Sequence, residues 1–500
     1  MNLTPLVRPY FNHVYASLDH ARSNPEDVQR RLLQRLLCKA RRTEVGRRWD
    51  YASIGSYAEF ADRVPCRPYE QIRPEVMRML GGEPDVLWPG VCRRYAQSSG
   101  TSDGRSKYVP VTDEALRNCH YRGSAMTVAS YLRLHPESRM FSGKGMILGG
   151  SFATALTDLP PKVRVGDLSA HLIRSIGPLV ELCRVPSRAT ALMEDWSLKL
   201  PRLVSESSVC NVTNLSGVPS WFLTVLRGVL ARTGASEIHE VWPGLEVFFH
   251  GGISFEPYRE QYDSIIDPAR MNYHETYNAS EGFFAVRDSA DTGAMLLLTD
   301  CGVFFEFTPA DNPDARPVPC WEISPGNVYA LTITSGNGLW RYPLGDTVRI
   351  ESVEPLRITV AGRTKSFINA FGEELMVHNA DAALTRTCRE LGCAVADYTA
   401  APVYTSCRTK GHHQWAVEFS RPPRSMDEFA ATLDRHLCDE NSDYAAKREG
   451  GIFLAPLELV AVPDGTFNRW LASTGKLGGQ RKIPRLSNDR RVIDALLSLY

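Results

Sequence analysis

Five hundred residues with 43% apolar content suffice for one large domain plus a smaller one, or for two to three domains of common size. The 57 basic residues balance the 57 acidic ones, so no global field directs the chain to nucleic acid or to an anionic membrane. The twelve cysteines are scattered without a CxxC pair, no secretory signal opens the chain, and the longest apolar runs fall well short of a membrane span, so a reducing cytoplasm is expected. His412 and His413 are adjacent with no second ligand group at a supporting spacing; a surface pair is expected, and zinc is not.

Residues 26 to 48 carry Leu32, Leu33, Leu36 and Leu37 at helical spacing with arginines elsewhere, which predicts one amphipathic helix. Pro65, Pro68 and Pro74 mark an irregular connection, and Leu87 to Gly90 a turn. A helix is expected over Asp113 to Leu134, capped by Thr112 or Asp113, then a short apolar strand over Lys144 to Gly150. Pro-punctuated loops and helical patches such as Trp221 to Leu230 follow. From Leu245 the texture changes to short strands: Leu245 to His250, Ala294 to Thr299, Val303 to Phe307, Val328 to Thr334 and Leu356 to Gly362. Asp300, Cys301 and Gly302 are expected to join two of these as a hairpin turn. A mixed α/β half followed by many short strands predicts a sheet-plus-barrel architecture. After Gly362 comes a smaller α+β unit: helix Asn379 to Leu391, strands near Ala394 to Thr399 and Trp415 to Phe419, helix Met426 to Cys438, strand Leu457 to Val462, and a last helix from about Asp489. We therefore expect domains at 1–362 and 363–500, with the hinge near Arg363 to Lys365.

The stretch Gln97 to Lys107, QSSGTSDGRSK, sets four hydroxyls and two glycines in a short turn ended by a lysine. Such a turn can aim N–H and O–H groups at a phosphate, or be an ordinary solvated loop; it is not a Walker loop, which needs GK[ST] opening a helix. Four further stretches share its theme: YNASEG (Tyr277 to Gly282), GLWRYPLGDTVR (Gly338 to Arg349), with Asp346 after a Leu-Gly turn at a strand entrance, Gly362–Arg363, and GGQRKIPR (Gly478 to Arg485) with Lys482. A nucleoside triphosphate needs such parts: a phosphate cradle, a stacking aromatic, a carboxylate for Mg²⁺, an acid for the ribose hydroxyls, and cations against developing charge. Singly, each residue has an ordinary reading as core aromatic, surface charge or turn former.

Their joint order, with the strings TEVGRRWDYASIGSYAEFADRVP, SSGTSDGRSKYVPVT, HETYNASEGFFAVRD, LLLTDCGVFFEF, GLWRYPLGDTVRI, GRTKSFINAFGEELM and GKLGGQRKIPRLSND, resembles the acyl-adenylate-forming superfamily. Within it the chain is similar to the GH-three family of acyl acid amido synthetases, and most to the bacterial branch. The resemblance implies a large N-terminal adenylate-forming domain of mixed sheets plus a β-barrel, with a small mobile α+β C-terminal domain. It implies that Ser98, Ser99 and Thr101, with Lys107, bind phosphate; that Tyr277 stacks on adenine; that Ser280 contacts the α-phosphate and Glu281 holds Mg²⁺. Asp346 matches the ribose-binding acid, Arg363 a hinge-proximal arginine at the ribose, and Lys482 the lysine that assists adenylation. Ala279 stands where plant members usually carry serine.

The implied reaction uses ATP and Mg²⁺ to adenylate a small carboxylic acid, then passes the acyl group to an amino acid or other amine. Coenzyme A as acceptor is the alternative, and a non-catalytic nucleotide-binding protein a third reading. No nucleic-acid or membrane partner is expected, and the oligomeric state stays open. Acyl-pocket candidates, chosen by polarity and bulk, are His120, Tyr121, Trp221, Phe222 and His250.

Overall fold

A computed structural model describes residues 2–98, 107–154, 156–252, 255, 258–363, 367–404, 410–451, 453–473 and 484–499. The leucine-rich segment forms two helices in place of the single one expected, Pro25–Ala40 and Glu44–Arg48. Thr43 separates them: its extended backbone starts the second helix, and its Oγ1 accepts from the Gly46 N–H at 3.0 Å. Leu32, Leu33, Leu36 and Leu37 all face the main core. Pro74 lies inside the helix Tyr69–Leu80, not in an irregular connection. The face formed by Ile72, Val76, Met79 and Leu80 is buried, and that burial outweighs the one backbone bond a proline forfeits. Thr112 caps the next helix by accepting from Ala115 N–H; the segment to Leu134 includes a wider π-type turn over Leu116–Tyr121.

One twelve-stranded sheet organises the large part of the chain. Its first half is parallel and orders Arg184–Val185, Lys144–Ile147, Val212–Gly217, Val247–His250 and Asn272–Ala279. The second half is antiparallel and continues through Gly282–Arg287, Met295–Leu297, Leu356–Arg363, Leu339–Val353, Val328–Ser335, Val303–Pro309 and Val318–Pro319. This half curls on itself, bringing Phe305 edge-on to Phe284 with ring centroids 6.1 Å apart. The hairpin expected through Asp300 to Gly302 does not form: Met295–Leu297 and Val303–Pro309 pair with other strands. Buried Gln29 explains part of the divergence, because its amide takes Thr299 O at 2.6 Å and Val303 O at 2.8 Å, and accepts from Phe305 N at 2.8 Å. Asp346 likewise sits inside the long strand Leu339–Val353 rather than at an entrance; Gly345, at φ 92°, bends the strand without ending it.

Beyond Arg363, the strands Ala394–Val403, His412–Arg421 and Glu458–Val462 form a separate three-stranded sheet. Helices Val377–Leu391 and Met426–Glu440 share its core with Trp415, Phe429 and Leu433. This smaller unit meets the large one along a packed seam. Phe453 enters the large unit's core against Trp196 and Trp221, with centroids at 4.8 and 6.1 Å, and Lys447 Nζ lies 4.1 Å over the Trp221 ring. Tyr258 Oη donates to Ala370 O across the same seam.

Candidate functional site

A cleft of about 610 Å³ opens beside this seam, and six of the expected residues line it: Ser98, Lys107, Tyr277, Ser280, Glu281 and Asp346. Ser98 and Lys107, the two ends of the serine-rich stretch, are register partners at the ends of two antiparallel strands. Ser99 and Thr101 fall on residues 99–106, outside the described residues. Lys107 Nζ donates to Tyr342 Oη at 3.1 Å and lies 5.8 Å from the ring centroids of Tyr69 and Tyr342. These rings hold the ammonium toward the cleft while leaving it further donors.

Tyr277 lies near the end of the strand Asn272–Ala279, whose partner begins at Gly282, and Ser280 and Glu281 make the turn between them. Gly282 is required there, since a Cβ would come within 2.7 Å of the Phe284 ring. Asn337 Nδ2 fixes the turn by donating to the Glu281 carbonyl at 2.8 Å. Tyr277 Oη donates to Asp346 Oδ2 at 2.6 Å, with both residues largely buried. The tyrosine thus ties two distant strands together, and its ring packs at 4.9 Å from Phe284. Asp346 pairs across its hairpin with Arg363, whose side chain is outside the described residues, as is Lys482.

Sequence reasoning missed several lining residues. Gly251 and Gly252 follow the strand Val247–His250, and a Cβ on Gly251 would stand 2.4 Å from Thr276 O, so the chain closes over the strand end only as glycine. A Gly-Gly pair after a strand was the available signal. Asn369, Glu374 and Asn488 come from the smaller unit; they lie in the strings GRTKSFINAFGEELM and GKLGGQRKIPRLSND, from which only Arg363 and Lys482 were singled out. None of the five acyl-pocket candidates lines the cleft. Phe222 is core, Trp221 belongs to the seam, and Tyr121 Oη donates to Leu172 O at 2.9 Å. His120 and His250 are buried, and burial pushes their imidazoles down to about 4 and about 3.

The expected surface pair of histidines is half right. His412 is partly exposed beside Glu458, but His413 is wholly buried with Nε2 2.7 Å from Glu373 Oε1. It lies on an inward position of its strand, where alternation buries one of two neighbours. Among the described residues no three His, Cys, Asp or Glu side chains gather as a metal cage. A cleft with Glu281 alone at the turn suits Mg²⁺, which takes one or two carboxylates and completes its shell with phosphate and water. Burial also raises the Glu275 carboxyl above its ordinary value, with Arg287 opposing.

Comparison with known proteins places these features in a wider context. The rice protein described as probable indole-3-acetic acid-amido synthetase GH3.4 (Oryza sativa subsp. japonica) is 24% identical, over 96% of this chain and 89% of its own length. The Arabidopsis thaliana indole-3-acetic acid-amido synthetase GH3.4 is 22% identical, over 95% and 93%. Among solved structures, AtGH3.15 acyl acid amido synthetase in complex with 2,4-DB superposes with a TM-score of 0.63 at 18% identity, covering 97% of this chain and 95% of that one. The 2-hydroxyisobutyryl-CoA ligase with 2-HIB-AMP and CoA does so at 0.56 and 14% identity, over 96% and 94%; both share the fold. Family models match the GH3 family N-terminal domain over residues 14–271, the central domain over 296–363 and the C-terminal domain over 378–491. The chain therefore belongs to the GH3 family.

Proposed function

We propose that the protein is an ATP-dependent acyl acid amido synthetase, which adenylates a small carboxylic acid with release of pyrophosphate and then passes the acyl group to an amino acid or other amine with release of AMP. The observation that carries this reading is the convergence of Ser98, Lys107, Tyr277, Glu281 and Asp346, far apart in sequence, on one cleft. In this reading Asp346 accepts from the ribose hydroxyls, oriented by Tyr277; the Tyr277 ring borders the base; and Ser98, Ser99, Thr101 and Lys107 hold the leaving pyrophosphate. Ser280 contacts the α-phosphate, and Arg363 reaches the sugar. Lys482 enters from the smaller domain to offset charge as the acid oxygen attacks the α-phosphorus. Glu281 would hold Mg²⁺, which would supply Lewis-acid neutralisation of the same charge. We place the domains at 1–362 and 363–500 with the pivot at 363–365, and the protein in the cytoplasm, in keeping with eleven described cysteines that are all free.

The test is exchange of labelled pyrophosphate into ATP with Mg²⁺ and a broad panel of carboxylic acids. At least one acid is expected to support exchange; none doing so overturns adenylation. Product masses with amines and then with coenzyme A decide between amide and thioester, the second reading being favoured only by the fold shared with a CoA ligase.

A further inference from the structure

We propose that Glu374 is the carboxylate that receives the acceptor amine in the second half-reaction and takes its proton, an inference that rests on the amide-forming reading above. Glu374 reaches the cleft from the smaller unit, and its Oε2 accepts from Ser98 Oγ at 3.4 Å. Its backbone is in the left-handed region at φ 40°, which a residue with a Cβ seldom adopts, and Gly372 two positions earlier is at φ 87°. A strained residue at a cleft persists only where its surroundings enforce it. Here they do. Glu374 N donates to Asn369 Oδ1 at 3.2 Å, and Asn441 Nδ2 donates to Glu374 O at 3.2 Å. Beneath the turn, the buried Glu373 carboxylate accepts from Ala370 N at 3.2 Å and Phe371 N at 2.6 Å, braced by His413.

The chemistry needs such a group. An alkyl amine arrives at neutral pH as an ammonium, whereas the nucleophile is its free base. A carboxylate both attracts the cation and accepts the proton. Asp346 is engaged by Tyr277, and Glu281 is assigned to the metal. Position also favours this step over the first: a negative charge against Ser98, one of the proposed phosphate-binding residues, repels a triphosphate tail but tolerates the adenylate left after pyrophosphate departs. Lys107 lines the same cleft, and Lys447, behind the turn, is attracted by Glu373 and Glu374. In the step, one ammonium proton passes to Glu374 and the amine nitrogen bonds to the acyl carbon. The carbon–oxygen bond to phosphate breaks with its electron pair leaving on AMP, and the second proton goes from nitrogen to water.

The experiment uses the full-length enzyme, an acid that supports pyrophosphate exchange, and two acceptors: an α-amino acid and hydroxylamine, which is uncharged at neutral pH and needs no base. The readout is the ratio of kcat/KM for the amino acid over hydroxylamine, which cancels any general loss of folded protein. Glu374→Gln is expected to lower this ratio about 100-fold, the usual scale for a positioned base, and Glu374→Asp to restore part of it. An unchanged ratio overturns the assignment, as does the same drop appearing with Glu275→Gln and not with Glu374→Gln. Absence of exchange with every acid instead overturns the adenylation reading on which it rests.

Discussion

Several histidines pay for their place in the fold through protons. His120 and His171 are held down to about 4, and His250 and His274 to about 3, with burial the leading cause in each. In the unfolded chain these rings titrate near 6.5, so the folded state binds fewer protons below that value. Stability is therefore full above about pH 6.5 and falls as pH drops toward 4, by about 1.4 kcal/mol per pH unit for each ring in the window. Urea midpoints at pH 7, 5.5 and 4.5 should decline steeply; a flat series would show that these rings are not neutral and buried. The same burial explains why sequence misjudged them. Polarity and bulk drew attention to His120 and His250, but polarity does not say whether a side chain faces a ligand or the inside of a sheet. Tyr277 and Asp346, by contrast, were legible because each sits in a long ordered string, although the hydrogen bond that joins them was not.

At the scale of elements, the glycine turn after Val247–His250 is the piece on which the cleft floor depends. Gly251→Ala would place a methyl 2.4 Å from the Thr276 carbonyl, a backbone atom that cannot swing aside. Overpacking of this kind costs about 1–3 kcal/mol, and relief requires the two strand ends to part. We expect pyrophosphate exchange to fall more than tenfold, with a thermal midpoint lowered by only a few degrees. Exchange at the parental rate would mean that the floor is not part of the site. Most helices and strands followed from periodicity, since apolar spacing reports burial directly. The break at Thr43 is local, set by its own cap on Gly46, whereas the helical Pro74 and the lost hairpin at Asp300 to Gly302 were decided by burial of a whole face or by a partner distant in sequence. Gln29, whose amide pins backbone some 270 residues away, is the clearest instance.

For the whole molecule, Phe453 is an apolar group of the smaller unit that crosses the seam into the core of the larger one. Phe453→Ala removes a ring buried against two tryptophans; in a single core that would cost about 3–5 kcal/mol. Here the loss falls on docking rather than on either core. Calorimetry should resolve the parental transition into two, with the smaller unit cleaved faster by protease, while one cooperative transition shifted downward would place Phe453 inside a single folding unit.

The hairpin that pairs Asp346 with Arg363 has a kinematic meaning. In a rotation, displacement grows with distance from the axis. If the smaller domain turns at the proposed pivot beside Arg363, its register partner Asp346 lies next to the axis and is displaced least. Under the proposed function, the sugar end of a nucleotide would then stay gripped while the rest of the lid travels.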